Sequence, residues 1–197
     1  MPKIVDHEQR RRELAEAVWR VIRRNGVDGA SVRTVAQEAG WSAGALRHYF
    51  KTQSELLGFA IELAAERIRE RVGALELAAD PRRAVEQLLS ELLPLDDERR
   101  AENEVWLAFT ARSLIDPELK ARHAAIDDEL RAACTRAVEM LGLAPGRTRV
   151  VEAERLHALL DGLALHGAMR PELLPPRRIA AVLRHHLDEL AGEAPRR

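Results

Sequence analysis

SVRTVAQEAGWSAGALRHYF, running from Ser31 to Phe50, holds two short segments with apolar residues at helical spacing, separated by one glycine. Val32, Val35, Ala36 and Ala39 share one face of the first segment, which Ser31 is placed to cap. Gly40 ends it with a residue that tolerates positive φ. Ser42 then caps a second short helix that turns Leu46, Tyr49 and Phe50 inward. Two helices of about two turns, joined by a Gly-containing turn, have the helix-turn-helix layout. Small Ala36 lets the helices cross closely. The outward face of the second helix carries Ala43, Gly44, Arg47, His48 and Lys51. Its small residues allow close approach to a groove, and basic residues stand behind them.

Outward from this stretch the chain reads as helices throughout. Leu14, Val18, Val21 and Ile22 stripe a helix from about Asp6 to Arg24 that stops at Asn25-Gly26. A long helix follows Phe50, roughly Ser54 to Leu77. Asp80-Pro81 and Asp116-Pro117 each pair a capping acid with a proline suited to the first helical position, so helices should follow both. Two strongly apolar helices close the chain, about Thr148 to Met169 and Arg177 to Ala191. The expected architecture is all-α, with about nine helices and no sheet. An N-terminal three-helix domain, residues 1–53, precedes a larger helical domain, residues 54–197.

Composition fits this division. The 197 residues are 46% hydrophobic and 32% charged, enough apolar material for a real core, and the formal charge is −1. Residues 1–54 carry ten Lys and Arg against six Asp and Glu, so a basic end meets an acidic-leaning body. That asymmetry suits a protein that meets nucleic acid at one end only. A single cysteine, Cys134, makes no intramolecular disulfide and fits a reducing cytoplasm. No apolar run is long enough to span a bilayer, and residues 1–24 are too charged for a signal peptide. A cytoplasmic protein without a membrane partner is expected.

The stretch from Ser31 to Phe50 resembles the N-terminal domain of TetR-family regulators. The resemblance lies in the Ser-capped helix, the Gly40-Trp41-Ser42 turn and the closing His48-Tyr49-Phe50 cluster. It implies a repressor that binds double-stranded operator DNA as a homodimer and responds to a small molecule. Carried over by position, Ser31, Arg33 and Thr34 would touch the DNA backbone. Ser42, Ala43, Gly44 and Arg47 would face the major groove, and His48, Tyr49 and Lys51 would hold phosphates. Arg47 either reads a base edge, where its planar fork fits guanine, or holds another phosphate. The family pattern often has Tyr at Arg47 and Lys at Gln53; Lys51 stands near the latter position.

Val105-Trp106-Leu107-Ala108-Phe109 and Leu160-Asp161-Gly162-Leu163 resemble a BetI-like subgroup, whose founding member responds to choline. The resemblance implies a ligand pocket, with Phe59, Leu63, Trp106, Phe109, Met140 and His157 as its wall and Asp161 as polar anchor. It also implies dimerisation through the last two helices. Leu156, Leu160, Leu163 and Gly167 on one, with Ile179, Leu183 and Leu187 on the other, are the expected seam. A quaternary ammonium needs an aromatic cage, and the body offers only Phe59, Trp106 and Phe109.

Other chemistry finds little support. His185 and His186 point about 100° apart on a helix and read as exposed polar residues. His123 and His157 lack a Cys or carboxylate at ligand spacing, and no zinc signature, phosphate loop or nucleophile elbow occurs. No cofactor, metal or catalytic residue is expected. The competing interpretation is an all-helical protein-interaction module without DNA binding. The basic face around Arg47 favours nucleic acid.

Overall fold

The structure is a computed structural model and describes residues 7–143 and 145–192. Among them lie nine helices and no strand. They are α1 (His7–Gly29), α2 (Val32–Ala39), α3 (Ala43–Arg47), α4 (Gln53–Ala74), α5 (Pro81–Ser90), α6 (Asp97–Ser113), α7 (Pro117–Met140), α8 (Arg147–Met169) and α9 (Pro176–Leu190). Asp6, the expected first residue of α1, lies outside the described residues. Regular helix in α1 breaks at Gly26, whose φ of 71° disfavours side chains with a Cβ. The break falls at the expected stop, although a further short turn extends to Gly29. No helix among the described residues is long and apolar enough to cross a membrane.

Local chemistry accounts for most helix starts. Ser31, Ser42, Thr52, Asp80, Asp96 and Asp116 each accept a backbone N–H from the first turn of the helix that follows. Pro81 and Pro117 occupy first helical positions, where the missing N–H breaks no bond.

Two cores organise the packing. The first joins Leu14, Val18, Val21 and Ile22 of α1 to Val35, Ala36, Leu46 and Phe50. It continues without interruption into Leu56, Ile61 and Leu63 of α4, Val105 and Phe109 of α6, and Leu119 of α7. The second is built by α5, the C-terminal half of α7, α8 and α9. The three N-terminal helices therefore share a core with the body. Ion pairs brace the same junctions. Arg20 and Arg24 of α1 grip Glu38 of α2 at 2.8 and 2.9 Å, holding its carboxyl below the usual range. Between α4, α5 and α6, Arg71 binds Glu91 at 2.8 Å and the buried Glu102 at 2.6 Å.

The seam expected between protomers is corrected here. Leu156, Leu160, Leu163, Ile179, Leu183 and Leu187 are all buried within one chain, in the second core. Gly167 is a contact inside the chain as well: a Cβ there would stand 2.7 Å from Ile179 and 2.9 Å from Pro94. The more apolar stripe of each terminal helix faces its own protein, because one chain already supplies the partners it needs. A second stripe on α8 faces outward, with Val151, Ala158, Leu165 and Met169 exposed and Gly162 half-buried.

The histidine pair is corrected too. His185 is exposed, but His186 is buried, and its Nε2 has no hydrogen-bond partner. Burial holds its imidazole below the ordinary range; Arg155 and His185 push the same way, while Glu152 and Glu189 oppose them. A depressed folded-state value means that the unfolded chain binds this proton better. His186 thus contributes stability above about pH 6.5, and that contribution is lost as pH falls through its folded value. Melting temperatures between pH 7.5 and 5 should fall less steeply for His186→Phe than for the unaltered protein. Parallel curves would show that His186 does not set this slope.

Candidate nucleic-acid interface

At the start of α2, Ser31 and Thr34 form a reciprocal cap. The Ser31 hydroxyl oxygen accepts the Thr34 N–H at 3.2 Å, and the Thr34 hydroxyl oxygen accepts the Ser31 N–H at 2.8 Å. Thr34 also donates to the Gly29 carbonyl at 2.7 Å, stitching α2 to the end of α1. These two residues, expected to touch DNA, also position the helix. Arg33 between them is exposed.

Gly40 closes α2 with a φ of 69°, and Ser42 opens α3 by accepting the Ala45 N–H at 3.1 Å. Only five residues make α3, and one of them, Leu46, is fully buried. That single anchor fixes which face looks out. Ser42, Ala43, Gly44, Arg47, His48 and Lys51 are all exposed. Tyr49 departs from its expected inward position: it is 39% exposed, with its ring 5.5 Å from Trp41. An α3 that ends at Arg47 lets the following turn swing Tyr49 outward while Phe50 returns to the core. Arg33, Arg47 and Lys51 make no side-chain ion pair among the described residues, so their charges are free for an external anion. The Gln53 side chain donates to the Ala30 carbonyl at 2.7 Å and ties the head of α4 to the reading unit.

An exposed, capped helix bearing unpaired cations, set on a core by one leucine, is the geometry of a major-groove reading helix. Comparison with known proteins agrees. Residues 14–58 match bacterial regulatory proteins of the tetR family, and residues 81–192 match the C-terminal domain of BetI-type transcriptional repressors. The chain belongs to the TetR family. This regulator is 42% identical over 195 residues to the HTH-type transcriptional regulator PksA of Bacillus subtilis (strain 168), covering 98% of this chain and 95% of that one. A solved transcriptional regulator from Rhodococcus sp. Rha1 superposes with a TM-score of 0.79 at 32% identity, covering 92% and 96% of the two chains. A regulator from Saccharomonospora viridis, solved in complex with choline, has the same fold, with a TM-score of 0.74 at 22% identity and coverage of 94% and 97%.

The residues expected to wall a ligand pocket separate into groups in this TetR-family body. Trp106 and Phe109 of α6 do meet, at 6.2 Å, and His123 of α7 stacks on Trp106 at 4.9 Å. Phe59 turns instead toward Phe50, at 5.1 Å, and Leu63 is buried in the first core. Met140 is exposed at the far end of α7, where Glu139 pairs with Arg149 of α8. It does not join the others. His157 and Asp161 do meet, one turn apart on α8, and Asp127 of α7 completes the group. The buried His157 Nε2 lies 3.4 Å from Asp127 and 3.6 Å from Asp161, without a hydrogen bond. Burial raises the Asp161 carboxyl, and Asp127 adds to the shift while His157 opposes it. This corrects the expectation that His157 has no carboxylate at ligand spacing, since Asp161 stands four residues on and the i, i+4 relation puts the two side chains on one helix face. Among the described residues no set of three His, Cys, Asp or Glu side chains is arranged to hold a metal ion. An open groove lies elsewhere, between the end of α4 and α5, lined by Leu75, Ala78, Arg83 and Gln87.

Because α3 has so few hydrogen bonds of its own, its cap should matter. Ser42→Ala is expected to cost about 1 kcal/mol of stability, measured as a lower urea midpoint at an unchanged slope. An unmoved midpoint would mean that Leu46 alone holds the helix.

Proposed function

We propose that this TetR-family regulator is a repressor that binds a palindromic operator as a homodimer and is released by a small-molecule effector. Residues 1–53 read the DNA, and residues 54–197 dimerise and sense the effector, in the cytoplasm where the operator lies. The protein acts by binding and carries out no reaction. The observation that supports this best is α3, with Leu46 locked inward and Ala43, Gly44 and unpaired Arg47 outward. Ala43 and Gly44 let the helix approach the groove floor, and Arg47, one turn on, reaches a base edge. Lys51 lies a further turn along and meets phosphate.

The outward stripe of α8 supports a two-fold dimer. Val151, Ala158, Leu165 and Met169, with Gly162 among them and exposed Arg155 on the same stripe, offer a largely apolar face that two copies can share. Val182 of α9 is exposed as well. For the effector, the Trp106–Phe109–His123 stack and the Asp127–His157–Asp161 group are the remaining candidates of the expected pocket. The choline bound to the Saccharomonospora viridis regulator supports a small cation as one class to test. Phe109 also belongs to the core shared with α1. Effector pressure on α6 is therefore felt directly under the reading head, and it shifts the spacing of the two α3 helices from the roughly 34–36 Å that half-sites require. Release requires the effector to favour the non-binding conformation by its differential affinity.

Two experiments test these assignments. Arg47→Ala should weaken operator binding by roughly 1–3 kcal/mol and flatten preference at one base pair per half-site. Lys51→Ala should weaken all sequences alike and reduce the salt slope by about one unit per subunit. Binding to single-base operator variants at two salt concentrations separates them, and an unchanged preference pattern in Arg47→Ala makes Arg47 a phosphate contact. For the dimer, Leu165→Glu should sediment as a folded monomer, whereas Leu163→Glu should unfold because it buries a charge in the second core. A Leu165→Glu protein that stays dimeric would reject this face.

A further inference from the structure

We propose that Arg10 is a phosphate anchor of the operator interface, carried on α1 outside the helix-turn-helix and aimed by the ring of Trp41. Successive positions on a helix point about 100° apart, and Arg10 and Arg11 accordingly go separate ways. Arg11 turns to α4, where it lies 3.4 Å from Glu66 and 4.0 Å from Glu62, with its guanidinium 5.7 Å from the Phe59 ring. Its charge is answered within the protein. Arg10 turns toward the reading helix and stands 5.8 Å from the centroid of Trp41. It is exposed and has no carboxylate partner among the described residues.

Trp41 precedes Ser42, the cap of α3, and packs against Tyr49 at 5.5 Å. Arg10, Trp41 and Tyr49, the two rings tilted by 53°, thus form one contiguous group that runs from α1 across the start of α3 to the turn behind it. A ring that attracts a guanidinium occupies the flat face of the cation and leaves its N–H edge open. That edge is the part that pairs with two phosphate oxygens in one plane. Trp41 therefore restrains Arg10 without using its donors. Elsewhere on α1, Arg20 and Arg24 are committed to Glu38, while Arg12 and Arg23 are exposed without an ion pair among the described residues. Arg10 differs from Arg12 and Arg23 in having the Trp41 ring beside it. With Arg33, Arg47 and Lys51, Arg10 completes a set of free cations around α3, and it extends the backbone contact to a phosphate beside the half-site that α1 overhangs.

The test is operator binding by the full-length protein, measured over a series of salt concentrations. Arg10→Ala should lower affinity severalfold, leave the ranking of single-base operator variants unchanged and reduce the salt slope by about 0.9 per subunit bound. Arg10→Lys should restore the slope, because the contact is with charge. Since Arg10 is exposed, thermal melting should be unaffected in both. In a Trp41→Leu background the same Arg10→Ala change should cost less, because the platform that aims the guanidinium is gone. An unchanged slope in Arg10→Ala overturns the proposal, as does a slope that Arg10→Lys fails to restore. Equal costs of Arg10→Ala with and without Trp41 would remove the role given to the ring.

Discussion

Helix α3 is five residues long, too short to nucleate alone in water, and the burial of Leu46 beneath it is what gives it a fixed orientation. Everything the reading head does depends on that contact. The Ser42 cap and the positive φ of Gly40 bring the chain to the place where Leu46 can be buried, and Phe50 returns it to the core afterwards. Leu46 enters a core that also holds Phe109 and Val105 of α6 and Leu56 of α4. A close-packed core of this kind resists sliding and transmits displacement. The body and the reading head are coupled because they share their apolar interior.

Charge is divided in the same economical way. Arginines that meet a glutamate hold helices together: Arg20 and Arg24 on Glu38, Arg11 on Glu62 and Glu66, Arg71 on Glu91 and Glu102. Glu102 is buried, so removing Arg71 would leave a charge without compensation inside the protein. Arg33, Arg47 and Lys51, by contrast, stand without a carboxylate partner among the described residues, where α3 and its neighbours face outward. The small net charge of the whole chain conceals this arrangement, in which acidic residues neutralise the scaffold and leave the recognition surface positive.

The helices were legible because their signals are local. Ser31, Ser42, Asp80 and Asp116 cap the helices that the sequence places after them, and Gly26 and Gly40 break the chain at the expected points. The exposed faces of Arg47 and Lys51 follow from the same periodicity. Tyr49 did not follow it, because α3 ends at Arg47 and the helical period no longer applies two residues later. His157 and Asp161 showed their spacing, but the third member, Asp127, comes from another helix.

The sequence by itself determined an all-helical chain with a capped reading helix near its start, because capping, breaking and amphipathicity act within a few residues. Only the tertiary structure decided which apolar stripe of α8 and α9 was already used. Leu163 and Leu183 are interface candidates by sequence, but packing within one chain buries them and leaves Leu165 and Val182 at the surface. Only the structure, too, separated Arg10 from Arg11 and scattered Phe59 and Met140 away from Trp106. Each of these outcomes depends on which distant segment covers a given helix face. Hydrophobic burial is non-directional, so a sequence displays its apolar stripes without naming the partner of each.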